Sequence, residues 1–518
     1  RGAHGAGSHG VRHDGGVSDF SRNPELNRLV AIDGLLSDDE RDVQALVRRF
    51  CDDHVRPNLP TWYDEASVPA RELAKGLGEL GLLGMHLDGY GCAGSSATAY
   101  GMACHELEAA DSGIRSLVSV QGSLAMFAIW RWGSEEQKTE WLPRMAAGDA
   151  VGCFGLTEPD FGSDPAGMRT HAKRDGDDWV LNGTKMWITN GTIADVAVVW
   201  AQTDDKIRGF VVPTDTAGFE AREITKKMSL RASVTAELSL TDVRLPADAV
   251  FPEVRGLKGP LSCLSEARFG IVFGAMGAAR DSLETALDYA ATRQVFVKPL
   301  SGYQLTQGKL ADMTLEVSKG MLLALHLGRL KDGAGVSPEQ ISLGKLNNVR
   351  ESLEICRTAR TILGANGISL EYPVITLATV PSRPSPGRGR SDEGRSGRLG
   401  DDHRRGDAPV VTQRQVHPGD AEQLGTLGDG TADGQHRLAV LAVGHLDALP
   451  GQVAGGAQRL ADSLLRGKPG REGVQRQPLL ARREDATAQG RGAVEPLPQP
   501  GDVDDVDAHP DDHRVTRR

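Results

Sequence analysis

Two short clusters near the middle of the 518-residue sequence carry side chains suited to holding a cofactor. Gly-Cys-Phe-Gly-Leu-Thr-Glu-Pro occupies 152–159, and Gly-Ser-Asp-Pro follows at 162–165. A loop of this composition presents free backbone N–H groups and small hydroxyls, which suit an anionic or hydrogen-bonding cofactor. The same composition also serves as a plain turn-rich connection between domains. The second cluster is Trp187-Ile188-Thr189. On a strand, alternation sends Trp187 and Thr189 to one face, an aromatic plane beside a hydroxyl. That pairing would suit a planar ring with a hydrogen-bonding atom; the plainer alternative is a core Trp beside a strand Thr. His105, His171 and His326 stand alone and are expected in core or surface roles. No metal site is expected: His509 and His513, in the aspartate-rich end, are read as part of a solvated tail.

Stepping outward, these clusters lie in a stretch whose pattern has period two. Trp179–Leu181, Asn182-Gly183 and Thr184–Thr189 read as a hairpin, with the turn pair that favours type I′. Val196–Trp200, Gly209–Val212 and the alternating Ala236–Leu240 add strands. Helical patterns flank this block. Ser37 with Glu40, Ser134 with Gln137 and Ser337 with Gln340 form capping boxes, the last with Pro338 at the first helical position. Val43, Leu46, Val47 and Phe50 follow the first box at helical spacing, and residues 23–150 read as helical throughout. From about 261 to 366 helices return, with Leu310, Met313, Val317 and Leu325 on one stripe. Helices, a β block, then long helices predict an α+β fold. It comprises a helical domain over 23–150, a β-barrel-like middle domain over 151–255 and an incomplete helical bundle over 256–375. No Gly-x-Gly-x-x-Gly follows a strand, so a Rossmann domain is not indicated.

Composition bounds the rest. The net charge of −11 argues against nucleic-acid or anionic-membrane partners. No run of 18 apolar residues is long enough to span a bilayer. The opening residues, 1–22, lack the apolar core of a secretory signal and read as a disordered extension. Six scattered cysteines without a Cys-x-x-Cys pair fit a reducing compartment, so a cytoplasmic location is expected. Near residue 376 the composition breaks. From Thr376 to Arg518 there is no Phe, Trp, Tyr, Met, Cys, Ile or Asn, and Lys468 is the one lysine. Such a segment has no aromatic side chains, which usually supply much of the burial that offsets conformational entropy, and is left with Gly, Arg, Asp, Pro, Ala, Gln, Val and Leu. It reads either as a disordered tail or as GC-rich DNA translated out of frame.

In order and spacing, the two central clusters resemble the acyl-CoA dehydrogenase family. The resemblance runs from about Pro24 to Ile375 and includes Gly133–Gln137, Cys153–Pro159, Asn182–Asn190, Lys309–Met313 and Gly364–Gly367. It implies an FAD enzyme, normally a homotetramer, that passes electrons to an electron-transfer flavoprotein. In that picture Phe154, Leu156 and Thr157 touch the flavin, and Ser163 lies by flavin and CoA phosphate. Trp187 and Ile188 stand beside the ring, and Thr189 bonds near its N5. Arg293, Phe296, Gln304 and the stretch from Thr361 through Gly364 to Ala365 would reach the FAD of a neighbouring subunit. Val297 and Ala365 stand where the family usually has glycine, which adds side chains at a close backbone approach.

The segment Glu108–Ser119 resembles the glutaryl-CoA dehydrogenase members in particular. There Arg115 would clamp the far carboxylate of the substrate, with Glu108, Ser116 and Ser119 as neighbours. An arginine presents a planar fork of donors that fits a carboxylate bidentately. Leu261 to Arg268 would line the CoA and acyl channel. The implied reaction removes an α-proton and a β-hydride from an acyl-CoA thioester; a glutaryl enzyme then releases carbon dioxide to give crotonyl-CoA. The family's catalytic Glu, in a Tyr-Glu-Gly-Thr segment, has no counterpart, since no Tyr follows Tyr372. Some relatives place a Glu at the position of Ala267; Glu266 is one step away, about 100° round the helix, and is a weak candidate. The alternatives are a general short-chain acyl-CoA dehydrogenase, a non-catalytic acyl-CoA- or flavin-binding relative, and an unfolded translation product.

Overall fold

A computed structural model describes residues 20–378. Residues 1–19 of the expected N-terminal extension, and nearly all of the expected tail, lie outside the described residues.

Eight helices come first. They are α1 (Pro24–Val30), α2 (Asp38–Phe50), α3 (Leu59–Glu65), α4 (Ala70–Glu79), α5 (Ala97–Ala110), α6 (Ser112–Ser119), α7 (Phe127–Trp132) and α8 (Glu135–Ala146). Two π-helical turns, Cys51–Val55 and Val120–Met126, extend α2 and join α6 to α7. The capping boxes at Ser37 and Ser134 form as the sequence predicts, each hydroxyl accepting an N3 amide and each N3 side chain accepting back. Helix does not run throughout 23–150, however. Gly81, Gly84, Gly89, Gly91 and Gly94 all adopt positive φ, and the chain turns without regular structure from Gly81 to Ser96. Phe20 and Ser21, expected in a loose extension, are instead buried. The Phe20 carbonyl accepts from Arg280 at 2.8 Å and Arg48 at 3.0 Å.

The middle block is a curled seven-stranded sheet. Its strands are β1 (Gly152–Gly155), β2 (His171–Asp175), β3 (Asp178–Thr189), β4 (Val196–Gln202), β5 (Ile207–Pro213), β6 (Phe219–Glu223) and β7 (Thr235–Leu245). The ladder runs β1-β4-β2-β3-β7-β6, with β5 on β4. Two expectations are overturned here. Gly152–Gly155 is not loop but a buried strand, parallel to Val196–Val199 of β4. Asn182-Gly183 does not turn the chain: 178–189 is one strand, and the hairpin turn is Gly176-Asp177, with Gly176 at φ 63°. Asn182 is held straight by β7, its Nδ2 donating to Asp242 at 3.0 Å and its Oδ1 accepting the Asp242 amide at 2.9 Å. Gly183 absorbs the resulting bulge at φ 150°.

The remaining helices are α9 (Lys258–Thr292), α10 (Gln304–Asp332), α11 (Pro338–Leu363) and α12 (Val374–Ala378); a two-stranded turn, β8 (Gln294–Val295) with β9 (Lys298–Pro299), precedes α10. Leu310, Met313, Val317 and Leu325 form the buried stripe of α10. α9 lies against α5 where Gly274 and Gly277 remove side chains. A Cβ at Gly277 would stand 1.9 Å from the His105 carbonyl, and one at Gly274 2.9 Å from Glu108 Oε2. This close approach locks a buried ionic network between the two helices. Glu106 accepts from Arg280 (2.6 Å), Arg48 (2.8 Å) and Gln44 (3.0 Å). Burial would raise its pKa, but Arg280 and Arg48 hold the carboxyl well below the ordinary range. The same approach fixes Glu108, two residues further along α5, against α9, where Gly274 makes room for it. No helix among the described residues is long and apolar enough to cross a membrane.

Candidate active site

Glu108 closes α5 on its α9 side, and Asp111 starts α6 by accepting the Gly113 amide at 2.7 Å. The break between the helices folds Ser112 and Arg115 back onto Glu108. Ser112 Oγ donates to Glu108 Oε1 at 2.6 Å, and Arg115 Nε donates to Oε2. Both carboxylate oxygens are thus engaged, and no other protein acceptor bonds the guanidinium among the described residues. Burial works against the charge on Arg115, but Glu108 outweighs it, and the net shift is upward. Arg115, Glu108 and Ser112 line one side of a cavity of about 230 Å³. Ile271 and Ala275 of α9, Lys345 and Val349 of α11, and Leu377 of α12 line the rest. Lys345 is half-buried, and its pKa is lowered by burial first and then by Arg268 and Arg115. The site therefore combines an apolar wall with cations and one carboxylate already taken up by Arg115. That arrangement suits an acyl chain ending in an anion.

Ser116 is half-buried beside Arg115, and Ser119 is buried one turn on. Leu261 and Arg268 lie in the first turns of α9; Leu261 is exposed and Arg268 half-buried. Glu266 is drawn to α10, where Lys331 Nζ donates to it at 2.9 Å.

A second surface is built by β1, the loop after it and β3. Regular alternation fails at Trp187: a bulge between Lys185 and Ile188 puts this residue at φ 64°. The indole is 59 % exposed, which rules out the core-Trp alternative. Non-glycine residues at positive φ are uncommon and mark places where the surroundings impose the backbone. Thr189 is half-buried, whereas Ile188 points into the sheet core, so any cofactor contact it makes is through its backbone. Phe154 and Leu156 are likewise buried, Phe154 packing near Trp200 at 6.2 Å between ring centres. Thr157 is half-buried and Ser163 exposed. The rim thus offers an exposed aromatic face, hydroxyls and loop backbone, which fits a planar heteroaromatic cofactor with hydrogen-bonding edges.

Arg293 caps α9, and Gly364, at φ 62°, caps α11. With Tyr289, Leu300, Ala365 and Asn366 these two line a separate cavity of about 370 Å³. Thr361 and Gln304 are exposed on the ends of α11 and α10. Phe296 and Val297 stand 93 % and 94 % exposed between β8 and β9. The structure therefore divides the sequence candidates into a clamp cavity, a Trp187 rim and an Arg293 edge.

Sequence reasoning assigned no role to Asp111, Lys345 or the buried Lys185. Their signal was charge at positions that pattern assigns to the interior. Five of the six cysteines are buried and unpaired, and Cys92 is half-buried. Among the described residues no three His, Cys, Asp or Glu side chains are grouped to hold a metal ion.

Comparison with known proteins assigns 37–149, 153–243 and 255–380 to the N-terminal, middle and C-terminal domains of acyl-CoA dehydrogenases. The mitochondrial short-chain specific acyl-CoA dehydrogenase of Homo sapiens is 36 % identical over 333 residues, 63 % of this chain and 81 % of that protein. A crystal structure of glutaryl-CoA dehydrogenase from Mycobacterium smegmatis matches with a TM-score of 0.68 and 66 % identity, covering 68 % of this chain and 92 % of that one. A second structure of a glutaryl-CoA dehydrogenase from that organism, in complex with FADH2, matches with a TM-score of 0.67 and 68 % identity over the same shares.

Proposed function

The chain belongs to the acyl-CoA dehydrogenase family, and we propose that within it the protein takes glutaryl-CoA, converting it to crotonyl-CoA and carbon dioxide. FAD is its cofactor. When bound, FAD supplies a ring that accepts a hydride equivalent from the β-carbon of the acyl chain. Trp187, Thr189, Thr157 and the loop backbone from Leu156 to Ser163 would hold that ring. Arg293, Phe296, Gln304, Thr361, Gly364 and Ala365 would reach the FAD of a second copy in a homotetramer, with electron-transfer flavoprotein as the onward acceptor.

The observation that carries the substrate reading is the Arg115 fork. Its Nε is fixed by Glu108, the residue lines the clamp cavity, and its two Nη groups have no hydrogen-bond acceptor among the described residues. A far carboxylate would meet them bidentately, with Ser116 and Ser119 close by. A plain fatty acyl chain would leave the remaining N–H groups of that buried guanidinium without an acceptor, at a cost of about 1–3 kcal/mol. The identity of 66 % to the M. smegmatis glutaryl-CoA dehydrogenase supports the same reading. Holding the acyl chain in register is what makes abstraction of its α-proton geometrically possible. For that abstraction the neighbouring carboxylate Glu266 is engaged by Lys331, and the family's Tyr-Glu-Gly-Thr base is absent from this sequence. Poor binding or slow turnover is therefore expected of this chain.

The second reading, a general short-chain acyl-CoA dehydrogenase, is favoured by the human short-chain relative. Equilibrium affinity for glutaryl-CoA and butyryl-CoA, read anaerobically from the visible flavin band, separates the two. Preference for glutaryl-CoA supports the clamp; equal or better binding of butyryl-CoA overturns it. Binding of both without any bleaching of the band would mark a non-catalytic relative.

A further inference from the structure

Lys185 is among the largest side chains with no exposed surface, and it is charged. It leaves β3 two residues before Trp187 and passes beneath β1, where Gly155 makes room. A Cβ at Gly155 would stand 3.3 Å from Lys185 Cγ. Its ammonium donates to the Leu156 carbonyl at 3.2 Å and to Glu158 Oε1 at 2.9 Å. Glu158, 5 % exposed, also accepts the Arg169 amide at 2.6 Å and the Thr170 amide at 3.0 Å. Between these anchors the Met186 amide donates to the Thr157 carbonyl at 2.8 Å. Three consecutive residues, 156, 157 and 158, are thus tied to β3 at 185 and 186, directly before the bulge that turns Trp187 outward.

Taking two opposite charges out of water gains little net stability over an apolar pair, so such a pair is better explained by the geometry it imposes. We propose that Lys185 and Glu158 are positioning residues that set the Leu156–Glu158 backbone against Trp187, and so determine how tightly and in what orientation FAD is held. The pair touches no reacting atom. It acts on the cofactor through the loop, and the inference rests on the placement of FAD at the Trp187 rim.

The test compares full-length Lys185→Met, Glu158→Gln, the double variant and Lys185→Arg for FAD affinity and for the visible flavin spectrum. Val243→Ala serves as a stability control, because Val243 is fully buried opposite Leu181, further along β3 from Lys185. We expect Lys185→Met and Glu158→Gln to weaken FAD binding by about tenfold or more and to shift the spectrum, since small displacements at such sites are costly. Lys185→Arg should recover part of the loss. Val243→Ala, at a matched drop in melting temperature, should stay within about twofold of the parent because distant sites act independently. Should a single variant fail to fold, the double variant, which leaves no unpaired buried charge, carries the comparison. Parent-like affinity and spectrum in folded Lys185→Met or in the double variant would overturn the role of the pair alone. A parent protein that takes up no FAD would instead overturn the placement of the cofactor, and the positioning role with it.

Discussion

Arg115 reaches back across the break between α5 and α6 so that its Nε meets Glu108 Oε2, and the arginine is thereby held at the cavity wall by a carboxylate that is not the substrate's. Arg115→Leu should lower affinity for glutaryl-CoA by about a hundredfold, the worth of a desolvated bidentate pair, and leave butyryl-CoA nearly unchanged. Both Arg115→Leu, which strands the buried Glu108 carboxylate, and Glu108→Gln, which strands the guanidinium, should destabilise the fold by about 3 kcal/mol, while Arg115→Leu alone should change the preference between the two substrates. Competitive binding and thermal melting separate the two effects.

Asp111 has its carboxyl pKa raised by burial, with Glu108 adding to the effect, from 3.8 to about 7. Between those values the folded chain keeps a proton that the unfolded chain releases, so this group's contribution falls as pH rises through the window. Asp111→Asn retains an oxygen for the Gly113 amide and removes the titration. It should raise stability at pH 8 by on the order of 2 kcal/mol and change little at pH 4, as read by melting temperature.

His105 behaves in the opposite sense. It is fully buried, its Nδ1 lies 3.1 Å from Glu106, and its Nε2 has no partner among the described residues. Burial first, then repulsion from Arg280 and Arg48, lowers its pKa from 6.5 to about 4 despite Glu106. The folded state therefore refuses a proton that the unfolded chain accepts, and stability is lost as pH falls from the upper value towards the lower. His105→Gln should flatten that acid limb by about 1–3 kcal/mol in denaturant titrations at pH 4.5 against pH 7.

Two glycines of the sheet should respond unequally to alanine. At Gly183, φ is 150° and a Cβ would lie 2.6 Å from Thr170 Cα, so Gly183→Ala should cost about 2–3 kcal/mol. At Gly176, φ is 63° but the space is open, and Gly176→Ala should cost about 1 kcal/mol. Parallel melts of the two variants check the order.

Leu315 and Leu322 on α10 and Leu343 and Leu346 on α11 are between 46 % and 63 % exposed. If these faces join copies of the chain, Leu322→Glu should shift the mass measured by light scattering towards the monomer. It should also weaken FAD retention if Arg293 and Gly364 serve a neighbour's cofactor.

What the sequence made legible was local. Each capping box needs only four residues, and the α10 stripe needs only the helical period, so Ser37, Ser134, Ser337 and Leu310 through Leu325 read correctly. What stayed hidden was decided by partners far along the chain. Asn182-Gly183 carries the strongest short-range hairpin signal, yet Asp242 on β7 holds it extended. Gly152–Gly155 looks like loop until β4 pairs with it. In the candidate site, Arg115 and Trp187 could be singled out by type and motif. The positive φ of Trp187, the hold of Asp111 on α6 and the engagement of Glu266 by Lys331 depend on three-dimensional packing.

The parallel ladder of β1 has a kinetic corollary. Gly152 aligns with Val196, so the intervening chain, with the loop after β1 and the bulge at Trp187, becomes a closed ring only after β4 arrives. Ring closure of that length demands entropy before any contact compensates it, which delays such pairings during folding. A newly made polypeptide would therefore acquire its helices while still colourless. Its yellow hue would develop only once β4 has paired with β1 and the loop between them has closed.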